Sequence, residues 1–299
     1  MISTRFTELV GCSVPIQQAP NGDLARTAEL PIAVAHAGGH GMLAAVRTAP
    51  DELERAIEET AAAAGRAWGV NVVLPLTPRD SIELAAERAP LVDFHQGDPD
   101  PALVELVHGG GGLASWQVGA AREAQAAEDA GCDLIVAQGI DAAGYSRGRA
   151  GTMALLQEVL ETVSVPVLAA GGIGTARGVA AALAAGAAAV RVGTRFLAAI
   201  ETRADPRYIE ALTAAHAEET ELTDRFAPPG VPIRARVLRS GLNAGEPFYA
   251  GESTGAVRGV EPAAQIVREL AQGAEQLLRE CARLLRPDAE TVAAGKRET

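Results

Sequence analysis

Short apolar runs rich in Val, Leu, Ile and Ala alternate with longer amphipathic runs of Ala, Glu and Arg along the first two-thirds of the chain. The apolar spacing predicts strands near Val14–Gln17, Pro31–Ala35, Gly69–Leu74, Leu91–Phe94, Leu113–Gln117, Leu134–Gln138, Val167–Ala170 and Ala188–Val192. Helices are predicted between them, at Asp51–Ala64, Ser81–Arg88, Ala120–Ala130, Thr152–Thr162 and Thr175–Ala185. Strands that are apolar on both faces belong in a parallel sheet covered by helices. Eight of them in order, each followed by a crossover, favour a closed (βα)8 TIM barrel over residues 1–199; a doubly wound open sheet is the alternative.

After Arg195 the rhythm changes. Ala198–Ala217 reads as a helix, the stretch 227–232 is broken by prolines, Ile233–Asn243 is basic and Gly245–Gly259 is glycine-rich. A last helix begins at Glu261-Pro262, where proline suits a first turn. These features predict a small cap or substrate domain over residues 200–259. The final helix, 260–286, would pack back on the barrel, ahead of a polar tail at 287–299.

Two consecutive strand-to-helix turns carry glycines: Ala170-Gly171-Gly172-Ile173-Gly174 and Val192-Gly193-Thr194. Backbone N–H groups at a helix start lack internal partners, and the helix dipole favours an anion there. In (βα)8 barrels the turns after strands 7 and 8 commonly hold one phosphate between them. The pattern thus predicts a phosphorylated ligand.

Composition narrows the class. Of the 299 residues 48% are apolar but only 3% aromatic, so Ala, Val and Leu must supply close helix-on-sheet packing. A net charge of −12 argues against a nucleic-acid partner. Cys12, Cys132 and Cys281 are far apart, which implies neither a disulfide framework nor a metal site and fits a reducing cytoplasm. The start Met1-Ile2-Ser3-Thr4-Arg5 lacks the apolar core of a signal peptide, and the longest apolar run is interrupted by Gly186 and closed by Arg191. A cytoplasmic protein with no membrane association is therefore the expectation.

Barrel enzymes place their chemistry at the C-terminal strand ends. Those positions bring forward Gln18-Ala19-Pro20-Asn21-Gly22, His36-Ala37-Gly38-Gly39-His40-Gly41, Asn71, His95-Gln96-Gly97, Trp116-Gln117 and Gln138 to Ser146. With Ala130-Gly131-Cys132-Asp133-Leu134-Ile135-Val136-Ala137-Gln138-Gly139, Val192-Gly193-Thr194-Arg195-Phe196-Leu197 and Ala250-Gly251-Glu252-Ser253-Thr254-Gly255, they form an ordered set. In this set the chain resembles the nitronate monooxygenases, formerly 2-nitropropane dioxygenases, and their relatives the flavin-dependent enoyl-acyl-carrier-protein reductases. The resemblance covers roughly residues 16–270.

The resemblance implies non-covalent FMN on the barrel top. Asn71 and Gln138, with Gly139 beside it, match positions that hydrogen-bond the flavin. Gly171, Gly172, Gly193 and Thr194 match its phosphate cradle, and Gln18 and Ala19 should flank the ring. A small-molecule substrate and O2 would be the reaction partners, and an Ala/Leu face on the last helix would suit a homodimer.

One loop departs from the family pattern. Where the family carries Glu-Ala-Gly-Gly-His, this chain has Asp141-Ala142-Ala143-Gly144-Tyr145. A phenol is ordinarily neutral near pH 7 and donates, whereas an imidazole can take a proton. Tyr145 is thus suited to orienting a nitronate that is already anionic, and His40, with His36 second, is the substitute base. Among other polar groups, His95 reads as a strand-end hydrogen bonder rather than a base. Arg234, Arg236 and Arg239 read as a salt-bridged stripe, and Arg147 and Arg149 as cations facing the mouth.

The favoured function is FMN-dependent oxidation of a small anionic or electron-rich substrate with O2. An NAD(P)H-dependent flavin enoyl thioester reductase, a specialised biosynthetic flavoenzyme and a flavin-free phosphate-binding isomerase or aldolase are the alternatives.

Overall fold

The computed structural model describes residues 2–227, 231 and 233–284. Its strands are β1 (Ile16–Gln18), β2 (Gly41–Ala44), β3 (Trp68–Val73), β4 (Leu91–His95), β5 (Leu113–Val118), β6 (Leu134–Gln138), β7 (Gly144–Ser146), β8 (Val167–Ala170), β9 (Ala189–Val192), β10 (Thr220–Thr223) and β11 (Arg234–Leu238). The helices up to the eighth strand are α1 (Arg5–Val10), α2 (Glu29–His36), α3 (Pro50–Ala64), α4 (Arg79–Arg88), α5 (Pro101–Gly109), α6 (Ala121–Asp129) and α7 (Thr152–Thr162). Beyond it come α8 (Ala176–Ala184), α9 (Thr194–Leu197), α10 (Pro206–Ala214), α11 (Arg239–Ala244) and α12 (Ala263–Ala282).

Eight strands pair in parallel in the order β1-β9-β8-β6-β5-β4-β3-β2, giving the TIM barrel. The seam between β1 and β2 closes through His40: His40 N–H donates to Ile16 O at 2.9 Å, and Gln18 N–H donates to His40 O at 2.9 Å. Past His40 the side chain of Gln18 replaces the ladder, its Oε1 accepting from Met42 N–H at 2.8 Å and its Nε2 donating to Met42 O at 3.2 Å. The short helix α1 plugs the N-terminal end of the barrel. Its Phe6 and Val10 pack on the inward residues Met42, Leu91, Leu134, Leu168 and Ala189.

The second predicted strand is wrong. Pro31–Ala35 lies inside α2, and the second strand is Gly41–Ala44. Leu30, Pro31 and Val34 face the core at helical spacing, and Pro31 sits in the first turn, where its missing N–H costs nothing. A short apolar run does not by itself distinguish a strand from a buried helix. Likewise Ala198–Ala217 is not one helix. A 3-10 turn at Ile200–Thr202 ends at Arg203, whose φ is 51°, and α10 restarts with Asp205 capping Arg207 N–H at 2.8 Å.

The loop after β6 does not stay a loop. Its β7 joins β11 and β10 in a three-stranded antiparallel sheet at the barrel mouth. Beneath that sheet Leu197, Leu212, Leu238, Ala250 and Val257 form a separate apolar cluster. The helix α12 lies on α8, so close that a Cβ on Gly273 would stand 2.6 Å from Ala176 Cβ. Its apolar face, Ile266, Val267, Leu270, Ala271 and Ala274, is buried within the chain. The Ala/Leu face expected to serve a homodimer is thus covered as far as Ala274. The predicted tail at 287–299 lies outside the described residues. No helix among the described residues is long and apolar enough to cross a membrane.

Candidate active site

A cavity of about 330 Å³ opens at the C-terminal end of the barrel, beneath the three-stranded sheet. Its volume falls in the range of small-molecule and cofactor sites. Ala19, Asn71, Gln138, Gly171, Gly172, Gly193, Thr194 and Tyr145 all line it.

The two glycine turns form one wall. Gly171 and Gly172 have φ of 114° and 65°, which side-chain-bearing residues rarely adopt. The N–H groups of Gly172 and Gly193 donate to no protein group among the described residues. Thr194 is buried, and its hydroxyl accepts from Gly251 N–H at 3.0 Å, tying the β9 turn to the 250–254 segment.

The floor is polar and densely hydrogen-bonded. Asp93 on β4 accepts from Asn71 Nδ2 at 2.7 Å, from Ser115 Oγ at 2.8 Å and from Arg191 Nη1 at 2.7 Å. Asn71 therefore spends its amide donor inside the protein and leaves its Oδ1 toward the cavity. Arg191 also donates to Gln17 Oε1 at 2.6 Å and to Gln117 Oε1 at 2.8 Å. Gln138 donates through Nε2 to Tyr145 O at 3.1 Å.

His95 ends β4 and also lines the floor. Burial, with help from the Arg191 and Arg147 cations and against Asp93, pushes its pKa down to about 3. Its ring is neutral at physiological pH. Gln96 Nε2 lies 3.1 Å from His95 Nε2; with the amide donating, the ring proton is on Nδ1. His95 is thus a strand-end hydrogen bonder that also lines the cavity.

The mouth carries Tyr145 and Arg47. Tyr145 OH accepts from Arg47 Nη2 at 3.2 Å, and its ring meets Tyr249 edge-on with centroids 6.0 Å apart. Arg47 has a left-handed φ of 54° and pairs with no carboxylate among the described residues. Sequence reading missed Arg47 because it lies in the turn after the true second strand, which the assignment of Pro31–Ala35 hid.

Several expected site residues lie elsewhere. His40 is fully buried at the β1–β2 seam, edge-on to Phe6 of the N-terminal plug at 5.7 Å, with Gln17 Nε2 3.2 Å from its Nδ1. Burial and the Arg191 charge push its pKa down to about 3, so it is neither placed nor poised as the site's base. His36 ends α2 with Nε2 3.0 Å from Ala63 O, in a depression with Ser13 and Gln272 at the opposite end of the barrel. Both corrections follow from the register of the second strand, which begins after these histidines instead of ending before them.

The side chain of Gln18 is used in the barrel seam, so only Ala19 of that pair lines the cavity. Gly139 is a packing glycine; a Cβ there would stand 2.2 Å from Thr152 Oγ1. Arg147 faces Asp98 at 2.7 Å and Glu123 at 3.4 Å rather than the cavity, and Arg149 is exposed. In the basic stripe, Arg236 binds Ile140 O at 3.0 Å and Glu252 at 3.1 Å, and Arg239 faces Glu221 at 3.6 Å.

A wall of two glycine turns with unpartnered N–H groups and an amide-lined floor thus surround a cavity at the C-terminal end of a TIM barrel, where barrel enzymes carry their chemistry. Comparison with known proteins gives the family. The nitronate monooxygenase family model matches residues 3–86 and 79–244. A Rhodococcus jostii (strain RHA1) protein, (3aS,4S,5R,7aS)-5-hydroxy-7a-methyl-1-oxo-octahydro-1H-indene-4-carboxyl-CoA dehydrogenase, is 32% identical over 88% of this chain and 72% of its own. A nitronate monooxygenase of Pseudomonas aeruginosa is 32% identical over 74% of this chain and 77% of its own. Among solved structures, FabK from Thermotoga maritima superposes with a TM-score of 0.86 at 28% identity, covering 95% of this chain and 100% of that one. Nitroalkane oxidase from Streptomyces ansochromogenes gives 0.79 at 29% identity, over 92% and 99%. The chain belongs to the nitronate monooxygenase family, and so to the flavin-dependent oxidoreductases.

Proposed function

We propose that the protein is an FMN-dependent oxidoreductase that uses O2 to oxidise a small anionic substrate, in the manner of a nitronate monooxygenase. The observation that carries this reading is the pair at the mouth: Arg47, with no carboxylate partner among the described residues, donating to Tyr145 OH. A cation and a phenol bind and orient an anion, and the imidazole that lines the floor is held neutral.

The fit to FMN rests on groups without partners. Gly172 and Gly193 N–H would take the phosphate, and Asn71 Oδ1 and Gln138 Oε1 are free to accept from a heterocycle. Gly171, with φ of 114°, lets the backbone approach closely. When bound, FMN supplies the two-electron chemistry. Arg47 neutralises the substrate's charge, Tyr145 fixes its orientation from the hydroxyl, and Tyr249 and Tyr208 cover the mouth against water. Among the described residues none at the mouth is suited to remove a carbon-bound proton, so the substrate enters deprotonated.

The test is oxygen uptake with a panel of nitronates and a panel of the neutral nitroalkanes. Turnover of nitronates alone is expected; equal turnover of both would overturn the reading. One observation favours a second: relatives from Rhodococcus jostii and Mycobacterium tuberculosis carry the name of a carboxyl-CoA dehydrogenase. On that reading Arg47 would meet an anionic group of an acyl thioester. Anaerobic mixing with NADH or NADPH separates nicotinamide-linked reduction, because rapid bleaching of the flavin would exclude the oxidase reading.

A further inference from the structure

Arg191 spans the barrel. It starts on β9 and reaches Asp93 on β4, which stands four places away round an eight-stranded sheet and hence directly opposite. Its other partners are Gln117 on β5 and Gln17 on β1. The guanidinium therefore lies on the barrel axis, in the cavity floor, with its side chain 2% exposed.

Its hydrogen bonding is unequal to that of its partner. Asp93 is shared among three donors, from Arg191, Asn71 and Ser115. Arg191 Nη2, buried, donates to nothing among the described residues. A buried, unpaired N–H of a charged group is costly unless a ligand completes it. Arg191 also lies two positions before Gly193, which follows the end of β9. A planar ring carried by a phosphate at the β8 and β9 turns and reaching toward Asn71 on β3 would pass over the floor that Arg191 helps to form.

We propose that Arg191 Nη2 donates to the N1–C2=O edge of the bound flavin and that its charge, metered by Asp93, favours the anionic reduced cofactor. The inference rests on the FMN reading above. Arg191 is in this role a determinant of cofactor electronics, and Asp93 a positioning residue that acts through it.

The experiment has two stages. FMN is first titrated into the protein by fluorescence quenching; the bound flavin's midpoint potential is then measured against reference dyes for wild type, Asp93→Asn and the double variant Arg191→Gln/Asp93→Asn. The double variant replaces the ion pair by two amides, so no buried charge is left alone. Asp93→Asn, which leaves the guanidinium uncompensated, is expected to raise the potential. The double variant is expected to lower it by at least a tenfold change in equilibrium constant, about 30 mV for a two-electron couple. Shifts of the same sign, or equal potentials in all three, would overturn the inference while leaving the cofactor reading intact. Failure of wild type to bind FMN would overturn both, and it shows at the first stage.

Discussion

Arg47 holds a backbone conformation that side-chain-bearing residues rarely take, and it does so at the rim of the cavity. Strain of this kind persists where the surroundings fix it, and it aims the side chain at Tyr145 OH. A charge-assisted hydrogen bond is worth about 1.5–3 kcal/mol, or roughly 10- to 150-fold in binding. Arg47→Ala should therefore raise KM for a nitronate by about that factor with little change in kcat, as read by steady-state oxygen uptake. An equal rise for neutral substrates would show that charge is not what Arg47 recognises. Tyr145→Phe removes a neutral partner worth about 0.5–1.5 kcal/mol, a loss of roughly two- to tenfold. Tyr145→His installs an imidazole and should add turnover of neutral nitroalkanes absent in the parent protein. Tyr145 could be placed at the mouth from sequence because the loop after β6 matches the family pattern around it. Arg47 could not, since its value comes from what the fold sets beside it.

Elements were readable where periodicity was long. The amphipathic helix α3 and the strands β3 to β6 follow from the spacing of their apolar residues. The segment 29–44 was misread because a helix buried on one face and a strand buried on both look alike over five residues. That segment carries a sharp constraint: a Cβ on Gly41 would stand 2.4 Å from Pro31 O and 2.5 Å from Pro31 Cα. Backbone cannot move aside as a side chain can. Gly41→Ala should thus push α2 off β2 and cost about 1–3 kcal/mol, seen as a lowered urea midpoint with unchanged slope. An unchanged midpoint would mean that α2 does not dock there. At the β8 turn, a Cβ on Gly171 would stand 2.6 Å from Thr152 Oγ1 in a left-handed conformation. Gly171→Ala should weaken FMN binding by roughly tenfold or more, about 1.4 kcal/mol, with far-UV circular dichroism unchanged.

The whole molecule should lose stability as it is acidified. His40 and His95 are neutral in the folded chain, with pKa near 3 against an ordinary 6.5. Above pH 6.5 neither folded nor unfolded chain binds these protons. Below it the unfolded chain does and the folded chain does not. The contribution is therefore complete above pH 6.5 and falls by about 1.4 kcal/mol per pH unit for each ring as pH drops toward 3. Urea midpoints measured across that window should show the decline, and His40→Gln should make it shallower by about one ring's share.

The sequence by itself determined the barrel, the position of its two phosphate-type turns and the family to which the chain belongs. These depend on local periodicity and on glycines whose backbone freedom is intrinsic to the residue. Tertiary structure decided which polar groups share the cavity. Closure of the barrel through His40 buries that histidine at the β1–β2 seam, His36 lies exposed at the opposite end of the barrel, and the true start of β2 delivers Arg47 to the mouth. Reach across the barrel axis joins Arg191 to Asp93, which lie 98 positions apart in sequence. Contacts at that separation are set by strand order and register, which no local pattern encodes.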